Sequence, residues 1–167
     1  EAARQHRIRS GMRRWFRRAG WLAAAASLGV CLLGWVAYQL APSALARHLE
    51  FRPPEYAVRV ERGVKMITSD GVALVSDIYH PQRVRKTPTI LVRIPLLRDI
   101  KYRLFGNAVS RMWAERGYTV VIQATRGRYP SGGRYDPFRY ERQDGIETLA
   151  WLARQPWFDG RLGMWGG

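Results

Sequence analysis

A mixed α/β fold preceded by one membrane-spanning helix is what this sequence predicts, and three observations carry that prediction. Residues 21–40 hold no charge, residues 58–79 alternate apolar and polar side chains around a turn, and short β-rich runs then alternate with helical patterns. The chain's 167 residues suit one modest domain with appendages, since domains commonly run about 100 to 150 residues. A composition that is 47% hydrophobic and 12% aromatic is too apolar for a disordered chain even at a net charge of +15.

Such a charge invites comparison with nucleic-acid binders, which neutralise phosphates with clustered Lys and Arg. Its distribution speaks otherwise. Residues 1–50 carry eight Arg against Glu1 and Glu50, and seven of those Arg precede Trp21. The remaining +9 is scattered among acids, with no C-x-x-C finger, no heptads and no aromatic RNA-binding motif. Nucleic acid is therefore not expected as a partner.

The N-terminus is laid out as a membrane anchor. Residues 1–20 form a basic, cytoplasmic N-terminus, and residues 21–41 are expected to be a transmembrane helix. Twenty uncharged residues in a helix span about 30 Å, the thickness of a bilayer core. Arg-rich flanks stay in the cytoplasm, and Trp21, Trp35 and Tyr38 suit the interfaces. The following domain is then exported, to a periplasmic or extracellular location. A helix buried in a protein core is a weaker alternative, since an unbroken apolar span with a basic flank is uncommon inside a small domain, and two others stay open. Ala44-Leu45-Ala46 is an A-x-A-like cleavage site, which would make the segment a signal peptide, although its apolar core is longer than the usual 7 to 15 residues. Leu28-Gly29-Val30-Cys31 resembles a lipoprotein processing box, but Val30 is bulkier than that box favours, and the apolar run continues past Cys31. Cys31 is the only cysteine, so no internal disulfide forms. The first residue is Glu rather than Met, so a start upstream is expected.

Residues 42–57 contain three prolines among mixed charges and are expected to be a linker rather than one regular helix. Val58 to Ile67 and Val72 to Tyr79 flank the turn Ser69-Asp70-Gly71 as a hairpin, closed by His80-Pro81. Thr89 to Ile94 reads as a strand buried on both faces, stopped by Pro95. Asn107 to Arg116 spaces Ala108, Val109, Met112 and Trp113 at helical intervals, with Gly117 as C-cap. Tyr118 to Ala124 is a second buried strand, followed by a Gly-rich loop. Gln143 to Gln155 places Ile146, Leu149, Ala150 and Ala153 on one helical stripe. Asp144 sits near that helix start, where the dipole favours an acid. Arg161 to Gly167 is a short strand running into paired glycines. Strands alternating with helices in this way predict a mostly parallel sheet.

Several blocks in this order resemble a known family. Ser69-Asp70-Gly71-Val72-Ala73-Leu74, Asp77-Ile78-Tyr79-His80-Pro81, Gly117 to Gln123, Arg126-Gly127 and Ser131-Gly132-Gly133 come first. Asp144-Gly145, Trp151-Leu152, Gln155-Pro156-Trp157 and Asp159 to Met164 follow. Over residues 58–167 they resemble the X-Pro dipeptidyl peptidase and cocaine esterase (CocE/NonD) group of α/β-hydrolases. The resemblance implies the N-terminal part of an α/β-hydrolase sheet and a serine hydrolase that cleaves esters or amides next to proline through an acyl-enzyme. It implies no cofactor. The partners are the lipid bilayer and, for the complete protein, a small ester or proline-containing peptide.

The resemblance also places the chemistry. In a G-x-S-x-G elbow the serine stands on a tight strand-to-helix turn where flanking side chains would collide. Gly166 matches the first glycine and Gly167 the variable position, so the nucleophile is expected immediately after Gly167. The family's Asp and His lie further downstream, and the chain as given holds no catalytic residue of its own. Leu96 stands where family members commonly carry an oxyanion-stabilising Tyr, a degenerate position with no hydroxyl to donate. Ala124 replaces a common Asp two residues before Arg126, which is expected to leave Arg126 short of a partner. Trp151, Trp157 and Met164 are expected in the core, Asp144 and Asp159 in helix-start and turn roles. His6, His48 and His80 are too scattered for a metal site. The alternative reading is a truncated or degenerate, non-enzymatic membrane protein. An incomplete sheet is also expected to expose a strand edge and apolar faces.

Overall fold

The computed structural model describes residues 2–95 and 100–165, and the chain divides into two compact units, Glu1–Ala41 and Pro42–Gly167. Helix α1, Ala2–His48, provides the described residues of the first unit and the opening turns of the second. Its portion Ala24–His48 is, by length and composition, long and apolar enough to cross a membrane. Leu28 and Leu33 there are 70% and 71% exposed, so their apolar surface is unsatisfied by protein.

In the second unit the elements run β1 (Val58–Ile67), β2 (Ala73–Pro81), β3 (Thr87–Ile94), α2 (Ile100–Ala114), β4 (Thr119–Ala124), α3 (Glu141–Ala153) and β5 (Phe158–Met164). The sheet order is β1-β2-β4-β3-β5. β1 pairs antiparallel with β2, and β2 with β4, whereas β3 lies parallel to both β4 and β5. The alternation of β1 slips because of a bulge between Glu61 and Val64. Gly63 takes φ +69 there, and its N–H donates to Asp77 Oδ1 at 3.0 Å.

Each sheet face buries its own apolar cluster. Tyr79, Ile90, Val92, Val120 and Ile122 gather with Ala114 of α2. Ile78, Leu91 and Val121 gather with Leu152 of α3. Every residue of β4 is buried, as a central strand covered on both faces requires. Helix α2 starts at Ile100, a full turn and more before the expected Asn107; Gly106 interrupts the sequence signal there, yet it lets the helix come close to Ile122. The expected Gly117 cap is present with φ +90, its N–H donating to Ala114 O at 3.1 Å.

Two expectations, on α3 and on Met164, need correction, and one is refined: as expected, the stretch 42–57 is not one regular helix, but its first residues, to His48, belong to α1. Helix α1 continues through Pro42 to His48 because Ala46 packs with Val109 and Met112 of α2. Beyond it, Glu55 and Tyr56 donate their N–H groups to Glu115 O at 2.8 and 3.0 Å, and Arg116 Nε donates to Arg52 O at 2.7 Å. The buried face of α3 is not the apolar stripe. Asp144, Thr148 and Leu152 are buried, while Ile146 and Leu149 are exposed. The reason is polar: Thr148 Oγ1 donates to Gln123 Oε1 at 3.0 Å, and Arg93 reaches both Gln123 Oε1 at 3.1 Å and the Glu141 carboxylate at 2.8 Å. Met164, expected in the core, is also exposed.

His80 supplies a pH test. It is 6% exposed, edge-on to Trp157 with ring centroids 5.4 Å apart, and its Nε2 is 3.6 Å from Glu61, too far for a hydrogen bond. Burial pushes its pKa down, Arg59 adds to that, and Glu61 opposes it. The folded state therefore binds the proton less readily than the unfolded state does. This contribution is complete above the unfolded value of about 6.5 and is lost as pH falls through the lower folded value. The denaturation midpoint is expected to drop between neutral pH and about 5, and His80→Gln to flatten that drop. An unchanged slope in the variant contradicts this role.

Candidate active site

The carboxyl ends of the parallel strands are where open α/β sheets place their chemistry. Ile94 of β3 is opposite Ala124 of β4, and Leu91 is opposite Met164 of β5. Thr125 N–H donates to Ile94 O at 3.2 Å, and Trp165 N–H to Leu91 O at 3.1 Å, so both pairings run past the strand ends. Three expected site residues follow directly. Leu96, after Pro95, and Gly166 and Gly167, after Trp165, lie outside the described residues.

The loop after β4 turns from these ends toward β2, where Gly132 N–H donates to Ala73 O at 2.8 Å. Gly127, at φ +69, donates its N–H to Gly132 O at 2.8 Å. A Cβ on Gly127 would stand 2.0 Å from the backbone N of Tyr135, so only glycine fits. Ser131 Oγ donates to Ala124 O and accepts from Val75 N–H, both at 2.8 Å. That hydroxyl closes the loop onto β2 and is committed to structure. Arg128 lies 3.5 Å from the centroid of the Tyr135 ring, a cation–π contact on the outer side of the same loop.

Arg126 is the anchor of this loop. Only 7% of its side chain is exposed, and it spans two carboxylates. Nη2 and Nε reach Asp144 at 2.6 and 3.0 Å; Nη1 and Nη2 reach Asp70 at 2.6 and 3.0 Å. Its face also stands 4.7 Å from the Tyr140 ring centroid. Hydrogen bonds to Asp144, then to Asp70, raise the guanidinium pKa further above its ordinary range. Asp70 is held well below the usual carboxylate range by Arg126 first and Thr68 next. Asp144 is fully buried whereas the Asp70 side chain is half exposed, so the Asp144 contact dominates energetically.

Arg126 is therefore fully paired, contrary to the expectation drawn from Ala124. Its carboxylates come from the hairpin turn and from α3, while Ala124 itself is buried within the sheet. Asp144 does more than complement a helix dipole. Asp159 keeps its turn role, accepting from Arg161 N–H at 2.9 Å. Sequence reading missed Asp70 as a partner; its one signal was its place in a block shared with the family. It also missed Glu147, which holds the same turn by accepting from Ser69 N–H and Oγ at 2.7 and 2.6 Å.

Comparison with known proteins agrees with this geometry. The chain is 38% identical over 111 residues to the cocaine esterase of Rhodococcus sp. (strain MB1 Bresler), covering 64% of this chain and 19% of that enzyme. It thus spans about a fifth of that relative's length. Among solved structures, a CocE/NonD family hydrolase from Staphylococcus aureus superposes with a TM-score of 0.55 at 23% identity, over 63% of this chain and 22% of its own. That likeness shows the fold. An aminopeptidase from the marine sediment archaeon Thaumarchaeota archaeon gives 0.52 at 26% identity, over 70% and 23% of the two chains. The profile of the X-Pro dipeptidyl-peptidase (S15) family matches residues 70–167. That match covers more than half of the chain, and with the α/β-hydrolase strand order it places the chain in the X-Pro dipeptidyl-peptidase (S15) family.

Proposed function

We propose that this chain is the N-terminal portion of an exported, membrane-tethered serine hydrolase that cleaves a small ester or an X-Pro amide through an acyl-enzyme. One observation carries the reading: a parallel strand, β5, pairs with β3 as far as Trp165 and is followed at once by Gly166-Gly167, the approach to a nucleophile elbow. In this reading Ser follows Gly167, a downstream His takes its proton, a downstream Asp orients that His, and backbone N–H groups hold the oxyanion. With Leu96 at the tyrosine position, the oxyanion relies on other donors.

Tethering and export rest on the uncharged stretch 21–40 behind seven Arg, together with a candidate membrane span over Ala24–His48. The competing view, a degenerate non-enzymatic membrane protein, drew support from Ala124. It loses that support, because the Arg126 network is intact without an acid there.

Residues 1–167 alone are expected to show no turnover of a chromogenic short-chain ester or an X-Pro anilide, whereas the product of the complete reading frame is expected to hydrolyse at least one. Serine-type turnover by residues 1–167, or a codon other than Ser after Gly167, sinks the proposal.

A further inference from the structure

The seven Arg ahead of Trp21 are more than a topology signal needs, and they are not arranged at random. Ile8, Met12, Trp15 and Ala19 are separated by four, three and four residues, and Phe16 follows Met12 by four. At about 100° per residue these five positions fall within one arc of roughly 100°. Arg7, Arg9, Arg13, Arg14, Arg17 and Arg18 fall outside that arc. The backbone over these positions is helical, part of α1.

We propose that residues 2–20 are a basic amphipathic helix that lies on an anionic lipid leaflet, beside the point where the anchor enters the bilayer. The proposal rests on the membrane-tethered reading above. A positive-inside signal requires charge alone. An apolar stripe containing Trp and Phe, opposite an Arg-rich face, is the pattern of a helix lying in the plane of the interface. Glu1 is the only acid before Glu50, so the charge complements the anionic lipids of a cytoplasmic leaflet, which attract basic residues flanking a membrane span. A nucleic-acid site would use the same arginines but would leave the apolar stripe unexplained. Passing from an in-plane helix to a spanning one requires a bend, which α1, continuous from Ala2 to His48 without lipid, would make at Gly20, the junction of the two segments.

The test uses the full chain with Cys31→Ser, carrying one nitroxide label at a time and reconstituted in phosphatidylcholine discs with or without phosphatidylglycerol. Labels at Ile8→Cys, Met12→Cys and Phe16→Cys are expected to be accessible to oxygen and shielded from an aqueous nickel chelate in the anionic discs. Those at Arg9→Cys, Arg13→Cys and Arg17→Cys are expected to show the reverse. The contrast should fade in pure phosphatidylcholine and when Arg7, Arg14 and Arg18 are replaced by Gln. A label at Leu28→Cys reports the anchor. If it is deep in both lipids while positions 8, 12 and 16 stay aqueous in anionic discs, this proposal fails and the anchor stands. An aqueous label at position 28 overturns the anchor and this proposal with it. Shielding produced by added duplex DNA and not by phosphatidylglycerol makes the run a nucleic-acid site and also overturns it.

Discussion

Replacing Asp144 by alanine is expected to destabilise the α/β unit by about 3–5 kcal/mol, because removing one member of a buried ion pair leaves the other charge uncompensated. Asp144 is fully buried and Arg126 nearly so, leaving water little access to the orphaned guanidinium. A loss of this size is a large share of the roughly 5–15 kcal/mol that holds a typical domain folded. Asp70→Ala is expected to cost far less, since its half-exposed carboxylate is replaced by solvent. The check is a pair of denaturation curves followed by far-ultraviolet circular dichroism, with the whole chain in detergent micelles. Equal losses for the two variants contradict the assignment of Asp144 as the dominant partner. The double variant Arg126→Met with Asp144→Leu is expected to recover much of the loss, because burying neither charge removes the penalty.

Gly127→Ala carries the second large effect. The new Cβ would lie 2.0 Å from Tyr135 N and 2.4 Å from Arg134 C, both backbone atoms that cannot swing aside. The residue must also hold φ +69, which disfavours a side chain by about 1–2 kcal/mol. Forcing extra volume into a close-packed site adds about 1–3 kcal/mol, so a combined loss of about 3 kcal/mol is expected. Gly63→Ala is the internal comparison: the same φ of +69, but nothing within 4 Å of the added carbon. Only the conformational cost applies to it, about 1–2 kcal/mol. If the two variants unfold at the same denaturant concentration, the loop is not the rigid element described above.

The strands were legible because each is a local pattern. Thr89 to Ile94 and Tyr118 to Ala124 are continuous β-rich runs, and Gly63 explains why the alternation of β1 looked imperfect. The Gly117 cap was legible because it needs only one residue with positive φ. What escaped was long-range and polar. The inward face of α3 is set by Gln123 and Arg93, from two other strands, and no helical periodicity encodes that. The start of α2 at Ile100 was hidden by Gly106, whose tolerance depends on its neighbour Ile122. Helix α1 runs on through Pro42 for a similar reason, since the contact of Ala46 with α2 outweighs one missing N–H. At the site, Ala124 read as a loss because the sequence does not show which distant acids reach Arg126. Asp70 precedes Arg126 by 56 positions and Asp144 follows it by 18; the fold alone brings all three together. Leu96, Gly166 and Gly167 rest on motif spacing.

The central claim is that a serine directly after Gly167 is the nucleophile, set at the end of β5 by the frame described here. It is tested most directly by labelling the product of the complete reading frame with a fluorophosphonate and mapping the adduct by mass spectrometry. Trypsin cuts after Arg161, so the informative peptide begins Leu162-Gly163-Met164-Trp165-Gly166-Gly167. The expected result is one adduct in that peptide, on the residue following Gly167, with loss of labelling when that residue is changed to alanine. An adduct on a different serine, or a folded protein that takes up no label, contradicts the account.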